Sequence, residues 1–160
     1  MKSSSKKVVL QAIGLGAVAG MRATMAATVT SHYLNNHPNP AISRSAFRFI
    51  QLPVTATVTK LLTAVELTGD KIPGAPDRIS PPQVAARILS GAFIGATVFK
   101  ANRQSLLTGA LLGGASALAV TFGSFFLRKY IDELPYALDP VTGVVEDAIA
   151  LGSGLKLIKA

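Results

Sequence analysis

The stretch Leu106-Leu107-Thr108-Gly109-Ala110-Leu111-Leu112-Gly113-Gly114-Ala115-Ser116-Ala117-Leu118-Ala119-Val120-Thr121-Phe122-Gly123-Ser124-Phe125-Phe126-Leu127 decides the fold class. It carries no charge over the length of about 20 apolar residues that a helix needs to cross the hydrocarbon core of a bilayer. Outward from it lie four more apolar segments: 8–34, 52–68, 84–99 and 141–158. The first holds Arg22, the second opens at Pro53 and carries Lys60, the third contains Arg87, and the last contains Glu146 and Asp147. These segments predict an all-α, polytopic transmembrane bundle of about four or five segments, with one short or re-entrant helix among them. The whole of 1–160 reads as a single integral membrane domain.

Composition points the same way. Apolar residues make up 49% of the chain and charged residues 15%. A soluble domain carries roughly 25% charged residues to coat its surface. The mean hydropathy is +0.43. Cysteine is absent, which excludes disulfides and thiolate metal sites. The formal net charge of +8 comes with no basic helix or aromatic platform, so it reads as positive loop flanks and not as a nucleic-acid surface. Met1 to Lys7 followed by 8–19 is patterned like a signal peptide, but apolar character continues past Arg22, so a retained first span is expected.

The links are rich in turn formers: Asn35 to Pro40, Lys71 to Pro76, Ser80-Pro81-Pro82 and Asp132 to Pro140. With every segment taken as one crossing, Lys2, Lys6, Lys7, Lys71, Arg78, Arg128 and Lys129 fall on one side. Arg44, Arg48, Lys100, Arg103, Lys156 and Lys159 fall on the other. That near balance leaves the orientation undecided by the excess of positive charge that usually sets it, and favours a segment that dips in without crossing. Three small-residue pairs, Gly16/Gly20, Gly91/Gly95 and Gly109/Gly113, allow close helix approach, within the chain or across a homodimer seam.

Charges in or beside apolar segments carry the functional reading: Arg22, Glu66, Asp70, Arg87, Glu146 and Asp147. Each costs at least about 2.5–3.5 kcal/mol at mid-membrane, so they are expected to face the bundle interior or water. Thr55, Thr59, Thr63, Glu66 and Asp70 recur at helical spacing and share one face. Thr24 and Thr28 form a shorter polar pair after Arg22. Two accounts stay open: an internal ion-pair network that fixes helix register, and a path for an ion, proton or small solute.

The link Asp70-Lys71-Ile72-Pro73-Gly74-Ala75-Pro76-Asp77-Arg78 sets charges of both signs at the membrane edge. Asp70 and Asp77 suit a hard divalent cation, and Lys71 and Arg78 a phosphate, unless the link is simply solvated. No Walker-type glycine loop, serine triad or H-E-x-x-H occurs, so an enzyme is the lesser reading, and no cofactor is predicted beyond that candidate cation.

Several of these residues fall in an ordered set: Gly20-Met21-Arg22-Ala23, Glu66-Leu67-Thr68-Gly69-Asp70-Lys71-Ile72-Pro73, Asp77-Arg78, Arg87 with Gly91-Ala92, and Val145-Glu146-Asp147-Ala148. In this the chain resembles the bacterial membrane-protein family catalogued as domain of unknown function 4126, with Gly-Met-Arg where the family usually has Gly-Leu-Arg. The resemblance implies a small polytopic membrane protein and brings no activity with it. The expectation is a multi-pass protein of the cell inner membrane, with the lipid bilayer and a second copy of the chain as partners. Its expected role is a transporter or channel-like protein using the intramembrane carboxylates. Binding or processing of a phosphorylated lipid, and a structural or assembly role without substrate, are the alternatives.

Overall fold

The computed structural model describes residues 5–69, 79–132 and 139–159, without the side chains of 69, 128, 131, 132, 139–144 and 146. Among the described residues every regular element is helical. In chain order they are α1 (Ser5–Met21), α2 (Met25–Asn36), α3 (Pro40–Ser43), a 3-10 turn (Ala46–Gln51), α4 (Pro53–Gly69), α5 (Pro81–Ala101), α6 (Leu106–Asp132) and α7 (Asp139–Lys159).

The turn formers act where they stand. Asn39 caps α3 by accepting from the Ala41 N–H at 2.9 Å, with Pro40 in the first turn. Pro81 opens α5 directly after Ser80. The α5–α6 turn closes with Arg103 N–H donating to the Lys100 carbonyl and Gln104 N–H to the Phe99 carbonyl. That pairing ends a helix through a left-handed residue, and Arg103 sits there at φ 56°, where glycine is the usual occupant.

Contacts fix the helix directions. Gly91 and Gly95 of α5 face Gly113 and Gly109 of α6, so these two run antiparallel. A methyl group at Gly95 would collide with the Gly109 carbonyl, and one at Gly91 would stand 2.6 Å from the Gly113 carbonyl oxygen. Gly16 and Gly20 of α1 face Gly113 and Ala117, so α1 runs parallel to α6. These glycines are therefore consumed within the chain, where backbones meet directly.

α2 begins beside Ser90, which donates to the Ala23 carbonyl, and is followed by Asn39, which donates to the Ala101 carbonyl. It therefore runs parallel to α5 and antiparallel to α1. α7 is antiparallel to α1: Gln11 bonds the Leu157 carbonyl and Arg22 bonds Asp147. α4 is antiparallel to α2, as the pairs Thr24–Thr63 and Ser31–Thr59 show.

This arrangement corrects the expectation of one continuous span over 8–34. The segment folds back at 22–24 into a helical hairpin, α1 and α2. The partners that hold the turn, Glu66, Ser90 and Asp147, are remote in sequence. Two helices, Pro81–Ala101 and Leu106–Leu127, are long and apolar enough to cross a membrane. Among the described residues α1 and α4 have 17 residues each, at the lower limit for a span, and α2 with 12 is shorter than one. α7 has 21 residues but carries Glu146, Asp147 and Lys156 along its course.

The outer faces are largely apolar, with Lys60 exposed midway along α4. Val54, Val58, Leu61, Leu62 and Val65 are exposed along α4, and Leu107, Leu111, Phe122 and Phe126 along α6.

Candidate functional site

The site is the tip of the α1–α2 hairpin. Its backbone leaves helical geometry after Met21, so Ala23 N–H and Thr24 N–H lack intrahelical acceptors. Thr24 makes no side-chain cap for its own helix. Glu66 of α4 does that work instead. One carboxylate oxygen accepts from Ala23 N–H at 2.8 Å, and the other accepts from Thr24 N–H at 2.9 Å and the Thr24 hydroxyl at 2.5 Å. An anionic group at a helix N-terminus also gains from the helix dipole. On the opposite side of the tip, the Ser90 hydroxyl of α5 donates to the Ala23 carbonyl.

Arg22, at the tip, is buried at 2% exposure. Its Nε donates to Asp147 Oδ1 of α7 at 2.7 Å. Arg87 lies one turn before Ser90 on α5 and is buried at 1% exposure. The hairpin tip thus draws α4, α5 and α7 onto one polar centre.

The centre lies well inside the bundle. Ser90 stands near the middle of α5, about 14 Å from its nearer end at 1.5 Å per residue. The Thr121 hydroxyl bonds the Gly20 carbonyl at 3.2 Å, and α6 continues about 16 Å beyond Thr121 to Asp132.

From Glu66 a ladder of hydroxyls follows the α2–α4 interface. Thr24 Oγ1 pairs with Thr63 Oγ1 at 2.9 Å, and Thr63 Oγ1 with Thr28 Oγ1 at 2.8 Å. Ser31 Oγ donates to the Thr28 carbonyl at 3.2 Å and pairs with Thr59 Oγ1 at 2.9 Å. When Ser31 donates to Thr59 instead, the Thr59 hydroxyl donates to the Thr55 carbonyl, and the Thr55 hydroxyl donates to the Phe49 carbonyl. Hydroxyls both donate and accept, so such a row can hand protons along as well as hold two helices together.

The model of a family described as Domain of unknown function (DUF4126) matches residues 9–160. The chain belongs to this family. No curated protein and no solved structure matches it. In this DUF4126 chain the matched region contains the whole hairpin tip and its partners.

Of the residues singled out in the sequence, the structure brings Arg22, Glu66 and Asp147 to the tip, with Arg87 on the adjoining turn of α5. Glu146 lies in α7, but its side chain is outside the described residues, as are Asp70, Lys71, Asp77 and Arg78. Among the described residues no three of His, Asp and Glu come together as a metal site. Sequence reasoning passed over Ser31 and Ser90. Ser31 follows Thr24 and Thr28 at helical spacing, and Ser90 follows Arg87 by one turn, so the period of the helix was the available signal.

Proposed function

We propose that this chain is a small multi-pass protein of the cell inner membrane that conducts protons, with Glu66 as the relay carboxylate and the Thr24–Thr63–Thr28 hydroxyls as the path leading from it. The observation that carries the reading is the junction of the half-buried Glu66 with that ladder at the hairpin tip, whose depth along the bundle is marked by Ser90 and Thr121. An ionisable group at such a depth is a functional candidate by default. Membrane residence is supported by the two helices of spanning length and by the apolar outer faces of α4 and α6. A hydroxyl row favours protons over larger solutes, and the Glu66 oxygens are taken up by N–H and O–H donors instead of lying open to a cation. A second copy of the chain would close the outer side of α4, which packs chiefly on α2 within one copy.

The test is proton flux into vesicles holding the purified chain, driven by a potassium diffusion potential and read with an internal pH dye. Thr63→Val removes the bridging hydroxyl at nearly constant volume and is expected to abolish flux, and Thr63→Ser to restore it. Flux through Thr63→Val equal to that of the native chain would overturn the assignment.

A structural role is the second reading, favoured by a specific observation: Glu66 is bonded to backbone and hydroxyl donors, and Asp147 is bonded to Arg22. Such a network specifies register. It predicts no flux in the native chain and a loss of stability in the variants.

A further inference from the structure

The hairpin re-sorts the charges along the bundle axis. The end opposite the tip gathers the start of α1, the α2–α4 link, the α5–α6 turn and the end of α7. Lys6, Lys7, Arg44, Arg48, Lys100, Arg103, Lys156 and Lys159 all belong to it, and all but the partly covered Lys100 are exposed. No acid accompanies them: the sequence has no Asp or Glu before Glu66, between Asp77 and Asp132, or after Asp147. Elsewhere in the sequence cations are interleaved with acids: Lys71 and Arg78 stand among Asp70 and Asp77, and Arg128 and Lys129 are followed by Asp132 and Glu133. Cytoplasmic flanks carry the excess of Lys and Arg, and the cytoplasmic leaflet is rich in anionic lipid.

A crevice of about 310 Å³ opens among these elements, with Gln11, Thr30, His37, Asn102 and Lys159 around it and Ile158 as an apolar wall. That size is at the small end of ligand pockets, about 300–1,000 Å³. Thr30 is fully buried at its edge, and its hydroxyl has no hydrogen-bond partner among the described residues. The crevice thus offers a cation, an imidazole and an unused hydroxyl beside an apolar wall, on a face whose sequence supplies no Asp or Glu side chain. That chemistry suits a phosphate that carries hydrocarbon with it.

We propose that this basic end faces the anionic cytoplasmic leaflet and that the crevice seats one headgroup of an anionic phospholipid. The inference rests on the membrane residence proposed above and is independent of proton conduction.

Two experiments test it. The chain has no cysteine, so single cysteines report sidedness. Ser43→Cys is expected to react with an impermeant maleimide from the cytoplasmic side and Thr68→Cys, exposed near the end of α4, from the opposite side, and the reverse pattern overturns the proposal. Recovery of the chain in the soluble fraction would instead refute membrane residence itself. Binding is then read by native mass spectrometry in detergent with phosphatidylglycerol or phosphatidylcholine. One phosphatidylglycerol per chain, held in preference to phosphatidylcholine, is expected. Lys159→Gln should weaken it about fivefold, the effect of one basic residue near anionic lipid. Arg44→Gln removes the same charge from the same end outside the crevice and is expected to leave the bound lipid within about twofold. Equal weakening by both substitutions overturns the crevice as the seat. Displacement of the lipid by millimolar inorganic phosphate overturns the assignment to a lipid headgroup.

Discussion

Replacing Glu66 with Gln is the sharpest probe of the hairpin tip. The carboxylate serves three donors with two oxygens: Ala23 N–H on one, Thr24 N–H and the Thr24 hydroxyl on the other. A carboxamide offers one acceptor oxygen. With that oxygen kept on Thr24, the new NH2 points at Ala23 N–H, donor against donor. Hydrogen bonds to charged groups contribute about 1.5–3 kcal/mol and neutral ones about 0.5–1.5, so one bond is lost outright and the others weaken. The interaction with the helix dipole, about 0.3–1 kcal/mol, goes as well. Together these predict a loss of about 3 kcal/mol. Glu66→Asp keeps the charge on a shorter stem and should cost roughly half as much, given how steeply hydrogen bonds depend on reach. The assay is reversible unfolding in mixed micelles by SDS titration, followed by helical circular dichroism. A Glu66→Gln variant within about 0.5 kcal/mol of the native chain, the range of an inconsequential surface change, would refute the capping argument.

Glycines with contrasting surroundings should respond oppositely in the same assay. Gly95→Ala drives a methyl group into the Gly109 carbonyl and should cost about 1–3 kcal/mol. Gly123→Ala meets nothing within 4 Å and should gain up to about 1 kcal/mol from helix propensity. Similar shifts for both would show that the α5–α6 contact is not the tight seam described. Arg103→Gly relieves a left-handed residue at the end of α5 and should stabilise by about 1 kcal/mol; a destabilisation would contradict the turn geometry.

Much of this was legible in the sequence because it is local. The segments expected at 52–68, 84–99 and 141–158 are Pro53–Gly69, Pro81–Ala101 and Asp139–Lys159, and the uncharged 106–127 lies within α6. Their ends are marked by proline, polar links and apolar runs, all readable a few residues at a time. The face of Thr59, Thr63 and Glu66 was readable for the same reason, since a helix of known period sets it. The hairpin was not. Residues 22–24 contain no proline or glycine, and hydropathy continues across them, so nothing local stops the helix. The turn is held by Glu66, Ser90 and Asp147, which meet it only in the folded chain. That single miss also balanced the charges: counting 8–34 as one crossing assigned the start of α1 and the α2–α4 link to opposite sides, whereas the fold puts them together.

Two kinds of adhesive divide the bundle, and the division bears on function. α1, α5 and α6 are joined backbone to backbone through Gly16, Gly20, Gly91, Gly95, Gly109 and Gly113, contacts that leave no room for adjustment. α4 meets α2 differently, through Thr24, Thr28, Ser31, Thr59, Thr63 and Glu66, while Val54, Val58, Leu61, Leu62 and Val65 face outward. Hydrogen bonds between hydroxyls are individually small, and each hydroxyl can exchange one partner for another by rotating. The glycine core therefore fixes the depth and position of Arg22, while the helix that carries Glu66 is fastened by bonds that re-form readily. Glu66 itself joins the two kinds of contact, since it holds the backbone N–H groups of Ala23 and Thr24 and also a Thr24 hydroxyl that can turn toward Thr63.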